Sequence, residues 1–493
     1  MAERMVPRMM VFILVLVVGL VCLTIFLAIV FIKSKTTTNG TIFANRKECA
    51  QIGGKMLKMN GSFADAAIAM LFCESVHQPQ KLGIGGGFLA LIYVKSNPNA
   101  MALIAQEIAP LAAKENMFKN RSSKDAFFIG ELAIAVPGQV KGYYALHRKY
   151  GRLKWADLLN PAIKLCESGH IVNRELANDL KTREDEIRKI SSFREIFINP
   201  STNKTYEKGQ LIRYIRLAET LKVIAREGQD TIYNGGKIGK LLIQDIRSFG
   251  GILTDQDLLQ YRHKWRKPIA TKFLNYTVYS MPVSGSGILL SVILQKAQHD
   301  KPDKDPFGKT GGKHVHISSQ KGLKRYKKEE QKKSMIAKQL ANVKLSNLSR
   351  VRFQDSKTLN ILEQYSEKEM TSVHGQVVVH VAVLTPTGDA IIVSSTIHSR
   401  FGAMRLSSHT GIILNDEMKH FSGPNQTNIP KSRTYLLSTM CPVIIVDMNG
   451  FPKLFTSSVG GSNATLALAK LIVENLQTKR KRKRSVYKLA DIT

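Results

Sequence analysis

Hydrophobic and polar positions divide this chain into segments with different periods. From Met9 to Ile32 the residues are apolar almost without a break, relieved only by Gly19 and Thr24. About 20 apolar residues span a bilayer core as a helix, so 9–32 is predicted to be a transmembrane segment behind a short tail, 1–8. It lacks the short apolar core and small-residue cleavage site of a cleaved signal peptide, which favours a signal anchor. Thr36–Thr41 is a polar stem, and Gly61–Cys73 then has the small and apolar spacing of a buried helix. The glycine-rich stretch Gly83–Phe88 leads into a strand-like run, Leu89–Tyr93. Val379–Val383 and Ala390–Val393 read as paired inner strands, and Ala464–Val473 reads as a helix. Strand and helix patterns thus share one chain, which points to the α/β class.

Composition adds a folded core and a charge problem. With 493 residues and 44% hydrophobic content the chain can bury a substantial interior. Its formal net charge is +34, much of it in two tracts: a Lys- and His-rich insert at 301–345, and a tail at 479–493 that begins Lys479-Arg480-Lys481-Arg482-Lys483-Arg484. The insert has few apolar residues and reads as a solvated helix or a disordered loop. Nucleic-acid binding is the sharper reading of such tracts, but an ectodomain would not meet that partner, and none is expected. Arg4 and Arg8 precede the apolar run while Lys33, Lys35, Arg46 and Lys47 follow it, so flanking charge does not orient the segment. Glycosylation triplets do. Asn39, Asn60, Asn120, Asn203, Asn275, Asn347, Asn425 and Asn463 each begin Asn-x-Ser/Thr, which places the long part outside the cytosol as a single-pass type II membrane protein.

The glycines before Leu89 open a strand rather than a helix, so they fail the geometry of a nucleotide fingerprint and read as close backbone packing. Together with later blocks they carry a different signal. Ala105-Gln106-Glu107-Ile108-Ala109-Pro110, Ala135-Val136-Pro137-Gly138, Tyr150-Gly151-Arg152-Leu153-Lys154-Trp155 and Gly250 to Leu258 come first. Ser394-Ser395-Thr396-Ile397, Gly411 to Met418, Leu437 to Pro442 and Gly460-Gly461 follow. In that order the chain resembles the γ-glutamyltransferases, or glutathione hydrolases, with a large-subunit-like part at 36–376 and a small-subunit-like part at 377–478. The resemblance implies the α/β fold of the N-terminal-nucleophile hydrolases, an αββα sandwich of two stacked sheets between helical layers. It further implies a disulfide between Cys49 and Cys73, no cofactor, and γ-glutamyl compounds such as glutathione as small-molecule partners. Cys166 and Cys441 read as buried thiols, and no His/Cys spacing suggests a metal site.

In that family a precursor cuts itself before a threonine, which becomes both the new N-terminus and the nucleophile. The matching position here, two residues before His380, is Val378. Valine keeps the shape of threonine without its hydroxyl. The resemblance assigns carboxylate binding to Ser438, Thr439 and an arginine that is Gln106 here. It assigns amine binding to Glu417 with an amide and a carboxylate that are His398 and His420 here. Thr396 matches the hydroxyl that orients the nucleophile, and Gly460 with Gly461 the oxyanion hole. Four changed positions in distinct roles point to a catalytically inactive, unprocessed relative. Two other readings remain open: an active γ-glutamyl hydrolase or transpeptidase, and a polybasic membrane-associated adaptor.

Overall fold

The computed structural model describes residues 40–115, 117–118, 130–282, 284–299, 376–421, 432–433, 438–460, 462–478 and 489–492. The expected span at 9–32, the insert at 301–345 and the sequons Asn39, Asn120, Asn347 and Asn425 lie outside them. Among the described residues no helix is long and apolar enough to cross a membrane. The described residues from Thr41 onward, apart from the turn Thr385–Thr387, form one compact unit.

Two sheets organise this unit. The first contains β1 (Thr41–Phe43), β2 (Gly87–Val94), β3 (Asn97–Ala105) and β4 (Lys264–Arg266), joined by β7 (Val379–Leu384) and β8 (Ala390–Thr396). Its order is β1-β7-β8-β2-β3-β4, antiparallel throughout. The second contains β5 (Ile269–Phe273), β6 (Tyr276–Ser280), β9 (Val443–Asp447), β10 (Pro452–Ser458) and β11 (Leu489–Ile492), in the order β11-β10-β9-β6-β5. β10 and β11 run parallel and the other pairs antiparallel. The paired strands expected near Val379 and Ala390 are β7 and β8, in register from Val379 opposite Ser395 to Leu384 opposite Ala390. Within the segment read as a basic tail, the described residues Leu489–Ile492 form β11.

The period of two along each strand sorts side chains into layers. Leu89, Leu91, Ala382, Leu384 and Ile392 face Met440, Ile444, Val446 and Phe455 in an inner core between the sheets. Alternate residues of the first sheet, including Ala90, Ile92, Val381, Val383 and Val393, face an outer helical layer. That layer includes α1 (Lys47–Lys58), α2 (Phe63–His77), α3 (Gln139–Tyr150) and α4 (Trp155–Ser168). On the far side, Val278, Val443, Ile445 and Leu454 pack on α5 (Gly287–His299) and α6 (Ser462–Thr478) through Leu290, Leu294, Leu468 and Ile472. The four layers are the αββα arrangement.

Every residue of α2 is buried, which suits a helix wedged between a sheet and its neighbours. Its start is fixed by a capping box: Ser62 Oγ accepts from the N–H groups of Ala64 and Asp65, and Asp65 Oδ2 accepts from Ser62 N–H at 2.8 Å. Cys49 of α1 and Cys73 of α2 form the expected disulfide. Cys166 and Cys441 are buried thiols, and burial pushes the pKa of each up to about 12.

Candidate active site

Val378 immediately precedes β7 and is 4% exposed. It belongs to the inner core together with Met440 and Val459, so chain order and sheet stacking bring it beside the residues expected to form the oxyanion hole. The backbone around it is fixed from β8. Val377 N–H donates to the carbonyl of His398 at 2.7 Å, and the Thr396 hydroxyl donates to the carbonyl of Val377. His398 N–H in turn donates to Thr396 Oγ1 at 2.7 Å. Thr396 thus grips the carbonyl of the Val377–Val378 peptide bond, the bond that a nucleophile at position 378 would attack.

A second chain of contacts reaches the same place from β10. Gly460 N–H donates to Thr439 Oγ1 at 3.3 Å, and Thr439 donates to Gln376 Oε1 at 2.8 Å. Gly460 has φ of +119°, a conformation that favours glycine. Ser438 Oγ accepts from Met440 N–H at 3.1 Å and so shapes the turn carrying Thr439. Gln376 was not singled out by sequence, yet its buried amide holds the hydroxyl expected to bind a substrate carboxylate. Gly461 lies outside the described residues.

The amine-binding expectations fall on a buried charged cluster. His398 Nδ1 lies 3.2 Å from Asp416 Oδ1, and Lys419 Nζ lies 2.6 Å from Asp416 Oδ2. Burial alone would raise the pKa of Asp416, but His398 and then Lys419 hold it below the usual carboxylate range. Glu417 and Glu107 are both fully buried and their pKa values are raised, first by desolvation and then by the negative charge of neighbouring carboxylates. Protonation of one or both is therefore favoured. His398 stands where the resemblance assigns an amide of the amine grip; it engages Asp416, a residue the sequence reading passed over inside Asn415-Asp416-Glu417. The side chain of His420 is outside what the structure describes.

Asn415 builds the platform under this cluster. Its Nδ2 donates to the carbonyls of Gly85 and Ala135 at 2.8 and 2.9 Å, and its Oδ1 accepts from the N–H groups of Ala135 and Glu417 at 3.0 and 3.1 Å. Gln106 follows β3 and is 1% exposed; its carbonyl accepts from the Tyr261 hydroxyl at 2.8 Å. Its side-chain amide has no hydrogen-bond partner among the described residues. Of the sequons, Asn60, Asn203 and Asn275 are exposed, and Asn463 is on α6.

The Gamma-glutamyltranspeptidase family profile matches residues 49–489. Scoloptoxin SSD14 of Scolopendra dehaani is 34% identical over 442 residues, covering 85% of this chain and 75% of that protein. Glutathione hydrolase 5 proenzyme of Rattus norvegicus is 31% identical over 461 residues, covering 89% and 79%. Among solved structures, Helicobacter pylori gamma-glutamyltranspeptidase superposes with a TM-score of 0.52 at 29% identity, covering 67% of this chain and 96% of that one. Cephalosporin acylase from Bacillus halodurans gives a TM-score of 0.65 at 19% identity over 92% and 89%, a likeness of fold. Both neighbours support the N-terminal-nucleophile-hydrolase arrangement implied by the layered sheets. On the match across 49–489 and the relatives that share it, the chain belongs to the gamma-glutamyltranspeptidase family.

Proposed function

We propose that this protein is a catalytically silent, uncleaved member of its family, held at a membrane by the apolar segment at 9–32, with its folded part outside the cytosol. The observation that carries the reading is Val378 behind a carbonyl gripped by Thr396: the bond is presented, but the residue expected to attack it has no hydroxyl. Without that cut, the free amine that serves such enzymes as a base is absent as well. The contact from Gln376 to Thr439 adds to the silence, since it keeps a residue on the uncut side of the bond on a hydroxyl that substrate would need. At position 106 a neutral amide replaces the expected guanidinium and its charge-assisted, two-pronged hold on a carboxylate. The orphaned buried amide of Gln106 suits a weak binder of a γ-glutamyl small molecule such as glutathione better than an enzyme.

Denaturing electrophoresis of the deglycosylated full chain tests this reading. One band at full length is expected, with no turnover of a γ-glutamyl anilide. Two fragments divided near residue 377, or steady release of the aniline, would establish the competing reading of an active hydrolase or transpeptidase. Partition of the full chain into the membrane fraction, lost on deletion of 9–32, tests the anchor.

A further inference from the structure

Away from the candidate site, we propose that the surface where the end of α3 meets β4 binds a sulfated polysaccharide. Its charge is of one sign: residues 139–154 and 261–267 hold nine lysines and arginines and no aspartate or glutamate. Arg148, Lys149, Arg152, Lys154, Arg266 and Lys267 are all exposed, and none of the six enters an ion pair among the described residues. Cations in the last turn of a helix complement its dipole, and charges on an edge strand deter strand pairing. Neither need extends to the loop at Arg152 and Lys154, and an edge strand could be guarded by either sign.

Side-chain and backbone contacts join these elements into one surface. β4 is the edge strand of the first sheet, paired with β3, and Trp265 stands opposite Leu103 and so turns toward the helical layer. There its ring centroid lies 6.1 Å from that of Tyr150, and Lys149 Nζ stands 4.3 Å from the Trp265 centroid and 5.4 Å from that of Tyr150. Arg266 Nη1 donates back to the Trp265 carbonyl at 3.1 Å, which holds its guanidinium close to that strand. The loop after α3 is pinned from beneath, where the N–H groups of Arg152 and Leu153 donate to Asp65 Oδ2 at 2.8 and 3.2 Å. Asp65 is fully buried, so its carboxylate fixes the loop without being part of the surface.

A partner for this face must supply repeated anionic groups on a body that tolerates an aromatic floor. Sulfates on a pyranose chain do both. Guanidinium and ammonium groups bind the sulfate oxygens, and the half-buried rings of Tyr150 and Trp265 offer electron-rich faces to the C–H groups of the sugar. An anionic membrane fits less well, since none of the large apolar side chains exposed among the described residues lies in either segment. Nucleic acid matches in charge but is set aside by the placement outside the cytosol proposed above, on which the choice of a polysaccharide rests.

Trp265 supplies a local reporter. The chain has two tryptophans, and Trp155 is 9% exposed with its indole N–H on the Ile224 carbonyl, so a ligand on this surface changes the emission of Trp265. The test titrates the full chain with heparin, desulfated heparin, an oligonucleotide of equal charge and vesicles containing phosphatidylserine, following both binding and emission. Heparin is expected to change the emission, Trp265→Phe to abolish that change, and desulfation to weaken binding. Arg148→Gln, Lys149→Gln, Arg266→Gln and Lys267→Gln together are expected to weaken heparin binding about tenfold or more at about 0.15 M salt and to lower the salt slope by about three. Lys481→Gln, Arg482→Gln, Lys483→Gln and Arg484→Gln remove the same charge and are expected to weaken binding less and to leave the emission change in place. Unchanged emission of the wild-type chain with heparin overturns the proposal, whatever the folding of the variants. So does equal weakening by the two sets of substitutions, which would assign binding to overall charge, and so does tighter binding of the oligonucleotide or the vesicles than of heparin. A chain whose electrophoretic mobility is unaltered by N-glycan removal fails the placement outside the cytosol, and with it the polysaccharide, even where the Trp265 response is intact.

Discussion

At the scale of single residues, substitutions that look conservative carry the largest consequences. In the proposed reading, Val378 fills the volume of a threonine in the inner core while offering no hydroxyl at the position where the nucleophile is expected. Restoring the hydroxyl with Val378→Thr is expected to yield no turnover of a γ-glutamyl anilide, because Gln106 and His398 still stand where an arginine and an amide are expected; a colorimetric release assay checks this. Asn415 makes the opposite case, a polar residue whose four hydrogen bonds all go to backbone groups. Asn415→Ala leaves those buried groups unpaired and is expected to cost about 3 kcal/mol or more, measured as a shift in the urea midpoint at unchanged slope. The first substitution is legible in sequence because it departs from a motif. The structural duty of Asn415 is not, since nothing local to Leu414-Asn415-Asp416 points to Gly85 or Ala135.

Among elements, α1 and α2 form the unit whose stability is easiest to titrate. Reducing the disulfide, or replacing it with Cys49→Ser and Cys73→Ser, is expected to cost about 3 kcal/mol by chemical denaturation. His77 and His170 add a pH dependence. Burial pushes both pKa values from 6.5 down to about 4, so between those values the unfolded chain binds more protons than the folded one. Their contribution is complete above pH 6.5 and is lost as pH falls through about 4. It amounts to ~3 kcal/mol for either histidine, less than additively for two rings in contact. Denaturation midpoints across pH 4–7 should show that slope, and His170→Gln should flatten it. The apolar spacing of Gly61–Cys73 made α2 readable from sequence, as the alternation at Val379 and Ala390 did for β7 and β8. β11 was not readable, because four residues behind a run of lysine and arginine carry too little pattern to separate an edge strand from a tail.

For the whole molecule, the two halves named by family resemblance are not two folding units. β7 and β8 enter the first sheet between β1 and β2, and β9 joins the second sheet against β6. Residues 41–376 and 377–493 expressed separately are therefore expected to lack a native fold, with neither giving a cooperative thermal transition by circular dichroism, while the continuous chain gives one. The interleaving also sets a timetable during synthesis. β4 ends at Arg266 and β7 begins at Val379, so at typical elongation rates the first sheet waits on the order of ten seconds for its central strands. Through that interval the nascent chain on the ribosome carries the facing edges of β1 and β2 unpaired, and β2 is among the most apolar strands of the fold. Guarding those edges until Thr396 emerges is a task for whatever chaperones attend the growing chain, and it falls on every member built with this strand order, whether or not it retains a nucleophile.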